Sequence, residues 1–137
     1  MAVTVFLLDD HELVRRGVRE LLSAYDDLRV VGEASTAEEA LARIPQCKPD
    51  VAVLDVRLGG EAITGVEVCR EVRSTNPDVN CIMLTSFADD EALFAAIMAG
   101  ASGYVLKAIR GNELLAAVRD VAAGKSLLDP VSTARVL

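Results

Sequence analysis

No apolar run in the 137-residue chain approaches the roughly 20 residues needed to cross a bilayer; stretches such as Val51 to Leu54 and Ile82 to Leu84 are far shorter. Its apolar share of 52% therefore points to a packed interior, and one soluble domain is the expectation. No basic, apolar and small-residue succession opens the chain, so neither a secretory signal nor membrane association is expected, and the cytoplasm is the expected setting. Positive charge is scarce as well. With 14 Lys and Arg against 21 Asp and Glu, the net charge of -7 argues against this segment gripping a nucleic-acid backbone, which takes clustered cations. Any contact with DNA would belong to another domain. Cys47, Cys69 and Cys81 are odd in number and widely spaced, with no CxxC, so neither a disulfide framework nor a zinc site is indicated. Cys69 sits beside Val68 and Val72, and Cys81 opens an apolar run; both are expected as small hydrophobes of the core. The single histidine, His11, lacks a second partner for metal or general-base work and reads as an exposed first-turn residue.

What the chain does have is alternation. Five short apolar runs, Val3 to Leu8, Leu28 to Glu33, Val51 to Leu54, Val79 to Leu84 and Gly103 to Leu106, are bounded by Gly, Pro, Asp or Asn and read as strands. Between them lie helical patterns. The first, about Glu12 to Ala24, returns Val14, Val18 and Leu21 to one face and turns Arg15, Arg16 and Arg19 outward. The second starts after Ser35 or Thr36, with Thr36 and Glu39 as a capping box, and stops near Pro45. The third spans Gly65 to Ser74; the fourth runs from the Asp89 and Asp90 pair to Gly100, and the last from Asn112 to Ala123 before Gly124. In the fourth, Leu93 and Ile97 are the expected core pair, and Phe94 and Met98, one turn apart, read as core or rim packing, with part of a partner surface as the alternative. Strict alternation with long crossovers implies right-handed units, hence an α/β doubly wound domain: a five-stranded parallel sheet with five helices on its two faces. Residues 1–124 form that domain. Residues 125–137 change character, and Asp129 with Pro130 opens a linker helix before Val131 to Leu137.

In such sheets chemistry collects beyond the carboxyl ends of the strands. Those positions hold Asp9 and Asp10 after the first strand, Asp55 after the third, Thr85 and Ser86 after the fourth, and Lys107 after the fifth. Three carboxylates brought together repel by about 4 kcal/mol per close pair at an effective dielectric near 20, so protons or a cation must relieve them. Oxygen donors favour Mg2+, which takes one or two carboxylates, waters and a phosphoryl oxygen. Asp55, ending the strand expected at the sheet centre, is the candidate nucleophile, since a carboxylate can attack phosphorus to form an acyl phosphate. Thr85 offers a hydroxyl donor, and Lys107 a mobile positive charge, for the incoming oxygens.

Together LLDDHELVRRG, VAVLDVRL, IMLTSF and ASGYVLK closely resemble the receiver domain of bacterial response regulators, from Val3 to about Gly124. DDHE, LTSF, AGASGYVLK and GKSLLDP resemble the NarL/FixJ type, and within it the DevR/DosR-like regulators. The resemblance implies a flavodoxin-like fold and phosphorylation of Asp55 by a sensor histidine kinase. It implies Mg2+ held by Asp10, Asp55 and the backbone carbonyl of Arg57, with Asp9 acting largely through water. It further implies Thr85 and Lys107 as receivers of the phosphoryl oxygens, and Tyr104 as an aromatic switch that answers Thr85. A homodimer on activation is implied, as is transcription regulation through a C-terminal helix-turn-helix that this chain does not include.

Two positions depart from the family pattern. Gly59 stands where a proline commonly follows the phosphoaspartate loop, and Gly59 to Thr64 is somewhat longer than usual, which bears on the Arg57 carbonyl and on access to Asp55. Ala108 stands where many receivers carry proline after the lysine, leaving the isomer of the Lys107 to Ala108 bond open. Two other functions compete with a switch. A haloacid-dehalogenase-type phosphatase would want DxD at the first strand, whereas Asp9 and Asp10 are adjacent and Asp55 is followed by Val56 and Arg57 with no acid two residues on. A nucleotide or flavin module would want a glycine-rich turn where Asp9 and Asp10 would repel phosphates.

Overall fold

The computed structural model describes residues 2–58, 64–85, 90–107 and 111–128. The elements run β1 (Val3–Leu8), α1 (Glu12–Ser23), β2 (Leu28–Ala34), α2 (Ala37–Cys47), β3 (Val51–Asp55), α3 (Gly65–Thr75), β4 (Asn80–Thr85), α4 (Asp90–Met98), β5 (Gly103–Leu106) and α5 (Gly111–Ala122). All strand pairings are parallel, and the order across the sheet is β2-β1-β3-β4-β5. The expectations for Ser86, Asp89, the loop after Leu58, Ala108 and Val131 to Leu137 fall outside the described residues.

The period of two along each strand divides the interior into two layers. Val5 and Leu7 of β1, Val51 and Val53 of β3, and Ile82 and Leu84 of β4 join Leu22 of α1 and Leu114, Leu115, Val118 and Val121 of α5. The intervening residues Phe6, Leu8, Ala52, Leu54, Cys81 and Met83 point the other way and meet α2, α3 and α4. Every residue of β3 is buried, as expected of a strand covered on both sides. Cys69 and Cys81 are both fully buried in the second layer, the place expected of them.

Local signals account for most boundaries. Thr36 caps α2 by accepting from the Glu39 amide at 3.1 Å, and the Glu39 carboxylate returns to the Ser35 hydroxyl at 2.9 Å. Gly100 and Gly124 take positive φ values of 90° and 91° where α4 and α5 end. Three expectations need correction. α2 continues through Pro45 to Cys47, because a proline in the last turn removes one ladder bond while the Lys48 amide still closes onto Ile44 at 2.9 Å. Arg15 does not face outward with Arg16 and Arg19; it turns toward β1 and β2. In α4 the buried residue among the described side chains is Ala96, with Ala99 buried just after the helix, while Leu93 and Ile97 are only partly buried and Phe94 and Met98, expected as core or rim, are exposed. After α5, Lys125 to Leu128 is not helical: the Leu127 amide donates to Ser102 O at 2.7 Å, and Leu128 packs on the second layer.

Candidate functional site

The sheet order reverses between β1 and β3, and their carboxyl ends open the crevice in which α/β sheets place their sites. Asp9 leaves β1 with its amide donating to Ala34 O at 3.2 Å, and Asp55 is the last residue of β3. Thr85 ends β4, and its carbonyl accepts from the Lys107 amide at 2.6 Å, which fixes where the lysine leaves β5. Asp9, Asp55 and Thr85 are the only polar residues buried among the described ones, and all three stand at this one edge.

Lys107 joins the carboxylates. Its Nζ donates to Asp55 Oδ2 at 3.0 Å and lies 3.0 Å from Asp9 Oδ2, an ion contact without a hydrogen bond to that Asp9 oxygen. Burial pushes the Asp55 pKa up and the Asp9 charge pushes it further, to about 6, although Lys107 and the Arg57 amide at 3.3 Å pull it back. Burial works against the charge on Lys107 too, but its contacts with Asp9 and Asp55 outweigh that, and its pKa ends above the ordinary lysine value. One cation thus serves two buried carboxylates, and negative charge is left over.

That surplus fits a bound divalent cation. Asp9, Asp10, His11 and Asp55 each offer a donor atom, and these atoms lie within 4.8 Å of one another. A set dominated by carboxylate oxygens suits a hard cation such as Mg2+. Asp10 is partly buried at the entrance, beside the start of α1. Tyr104, on β5 opposite Met83 of β4, is partly buried against the second layer.

Four residues hold or flank the site without having been read as part of it. Arg15 Nη1 donates to the Asp9 carbonyl at 2.7 Å while its Nε meets Glu33 Oε1 at 3.1 Å, which ties the β1 end to β2. Arg19 reaches the same Glu33 at 2.6 Å. Gly65 begins α3 directly against Asp55: a Cβ there would lie 1.6 Å from the Asp55 carbonyl oxygen, and its amide donates to Val56 O at 3.1 Å. Only a residue with no side chain lets α3 approach this closely. His11, the N-cap of α1, donates its amide to Asp9 Oδ1 at 2.8 Å, and its ring Nδ1 lies 3.3 Å from that oxygen and 3.1 Å from Asp10 Oδ1. Spacing along the chain gave no sign of the Arg15 contact; the signal available for Gly65 was a glycine opening a helix after Thr64, whose side chain accepts from the Glu67 amide at 3.3 Å.

Comparison with known proteins agrees with this arrangement. Residues 5–119 match the family described as the response regulator receiver domain. The chain is 56% identical over 135 residues to the DNA-binding transcriptional activator DevR/DosR of Mycobacterium tuberculosis, covering 98% of this chain and 61% of that protein. It is 35% identical over 130 residues to the response regulator protein VraR of Staphylococcus aureus, covering 95% of this chain and 61% of the relative. The chain therefore spans about three fifths of the length of these relatives. Among solved structures, a LuxR-family two-component response regulator from Aurantimonas superposes with a TM-score of 0.87 at 32% identity, covering 98% of this chain and 94% of that one. The signal receiver domain of the NarL regulator from Mycobacterium tuberculosis superposes at 0.85 with 35% identity, covering 90% and 98%.

Proposed function

The chain belongs to the response regulator receiver family, a signalling switch of two-component systems, and on that premise we propose that Asp55 is its phosphoacceptor, charged by a sensor histidine kinase and able to take phosphate from small donors unaided. One observation carries the assignment: at the end of the central strand a buried carboxylate, its pKa pushed up to about 6, faces a lysine ammonium at 3.0 Å. Such a group is largely ionised at neutral pH, yet poorly solvated and so ready to bond. An Asp55 oxygen bonds to phosphorus as the bond from phosphorus to the donor's leaving atom breaks, and the leaving group departs with the electron pair. The Lys107 ammonium, now between Asp9 and Asp55, and the Thr85 hydroxyl take up the phosphoryl oxygens.

Asp10, Asp55 and the Arg57 carbonyl would hold Mg2+, with Asp9 reaching it through water. The bound cation supplies charge neutralisation among the carboxylates and on the phosphoryl oxygens. Once the acyl phosphate stands in the site, Thr85 is drawn toward it and the Tyr104 ring, one strand over, changes its packing; this pair reports the charge at Asp55 to the α4 and α5 side. Output is homodimerisation and, through a helix-turn-helix beyond residues 1–124 joined by the 125–137 segment, transcription regulation in the cytoplasm. Among the described residues no helix is long and apolar enough to cross a membrane.

Acetyl phosphate or phosphoramidate with Mg2+ is expected to add one acid-labile phosphate, visible by phosphate-affinity electrophoresis, and Asp55→Asn to abolish it. Undiminished labelling of the Asn variant would remove Asp55 from the role. Steady turnover of varied organophosphates would instead favour a phosphatase.

A further inference from the structure

The oxygen donors of the site are accounted for by the proposed switch; the imidazole beside them is not. We propose that His11 is a direct ligand, through Nδ1, of the divalent cation at the Asp9, Asp10 and Asp55 cluster, and that the site therefore accepts first-row transition cations such as Mn2+ more readily than an all-oxygen site would. This rests on the reading of the cluster as a cation site.

The geometry points there. The His11 Nδ1 atom lies 3.1 Å from Asp10 Oδ1 and 3.3 Å from Asp9 Oδ1. Neighbouring corners of an octahedron with bonds of about 2.1 Å are about 3.0 Å apart, and opposite corners about 4.2 Å. The separation from Asp10 Oδ1 matches an octahedral edge, Asp9 Oδ1 stays on the His11 amide with Asp9 acting through water, and the 4.8 Å span of the four-residue donor set leaves room for opposite corners. The backbone supports the placement. His11 stands before the first helical residue in an extended conformation, φ -93° and ψ 109°, and its amide is anchored on Asp9 Oδ1 at 2.8 Å. The ring therefore stands over the pocket from the solvent side. Its side chain is 67% exposed, so coordination removes little more than one nitrogen from water. An imidazole nitrogen adds little to Mg2+ binding, whereas it favours Mn2+, Fe2+, Co2+ and Zn2+. The competing role for the ring is an N–H donor to the two carboxylates, which the cation would displace.

The chain contains one histidine, so isotope labelling of histidine marks a single place. The test is electron spin-echo envelope modulation on the untagged 137-residue chain loaded with Mn2+, with natural-abundance and with 15N-labelled histidine. Nitrogen modulation that changes with the label and vanishes in His11→Phe, while Mn2+ stays bound, is the expected result. Bound Mn2+ that excess Mg2+ displaces and Asp10→Asn abolishes, but that shows no label-sensitive modulation, would overturn the ligand role and leave the cation site standing. Failure of the wild-type chain to bind Mn2+ or Mg2+ would overturn the cation reading itself, and this inference with it.

Discussion

Asp50, just before β3, and Asp55, its last residue, live in opposite circumstances. Asp50, exposed, has its Oδ2 bonded by the Thr4 amide at 2.9 Å and the Thr4 hydroxyl at 3.1 Å, its own amide on Thr4 O at 2.9 Å, and its carbonyl on the Asn80 amide at 3.1 Å. It laces β1, β3 and β4 together at their amino ends, with its carboxylate, amide and carbonyl all bonded and its side chain exposed. Asp55 is 3% exposed, shares one lysine with a second carboxylate, and has a raised pKa. The same residue type thus serves as a fastening just before the strand and, at its end, stands as a buried carboxylate with its charge only partly answered. What separates them is desolvation and a like charge that the protein leaves uncancelled.

The largest expected effect tests how rigidly the Asp55 end is held. Gly65→Ala puts a methyl group on the Asp55 carbonyl, so α3 or the β3 end must move; a loss of about 3 kcal/mol in urea unfolding is expected. Near wild-type stability would show that α3 does not depend on contact with Asp55.

Next comes the cost of the uncancelled charge itself. Because the folded-state pKa of Asp55 is raised, the folded protein holds the proton more tightly than the unfolded chain. Its contribution to stability is present at low pH and is lost as pH rises toward and through about 6. Without divalent cations, Asp55→Asn should therefore be more stable than the wild type at pH 7.5 by about 2 kcal/mol, a gap that closes below pH ~4. Thermal unfolding at the two pH values measures it, and a gap independent of pH would contradict the electrostatic origin.

The smallest effect belongs to the other end. Asp50→Ala is expected to cost about 1 kcal/mol through the lost bonds to Thr4, and to leave acyl phosphate formation at Asp55 unchanged. Impaired phosphorylation in that variant would mean that the two ends of β3 are not independent.

Much of this was legible in the chain. Five apolar runs with turn residues after them located the sheet, and the crossover lengths implied the parallel order, so Asp9, Asp55, Thr85 and Lys107 could be read as neighbours before any coordinate. What escaped depends on distances that periodicity does not contain. Arg15 shares a charged stretch with Arg16 and Arg19, yet the angular step between adjacent helical residues carries it to the β1 side, where a backbone carbonyl and Glu33 receive it. Hydropathy ranks Leu93 and Ile97 above the alanines of α4, but α3 comes close enough for Cys69 Sγ to meet the Ala99 carbonyl at 3.6 Å, and only small residues fit that approach. Gly65 is the same lesson in the extreme: the spacing between a helix start and a strand end decided the residue.

The alanine face of α4 has a further consequence. Ala96 is its fully enclosed side chain and Ala99 follows directly after the helix; Ala92 and Ala95 pack partly enclosed on the second layer, Leu93 and Ile97 are partly covered, and Phe94 and Met98 project into solvent. Each methyl withdraws little surface from water, and none inserts deeply enough to interlock with the sheet. With methyl groups as its contacts on the second layer, α4 is expected to tilt for less free energy than α5, which is keyed into the opposite layer by Leu114, Leu115, Val118 and Val121.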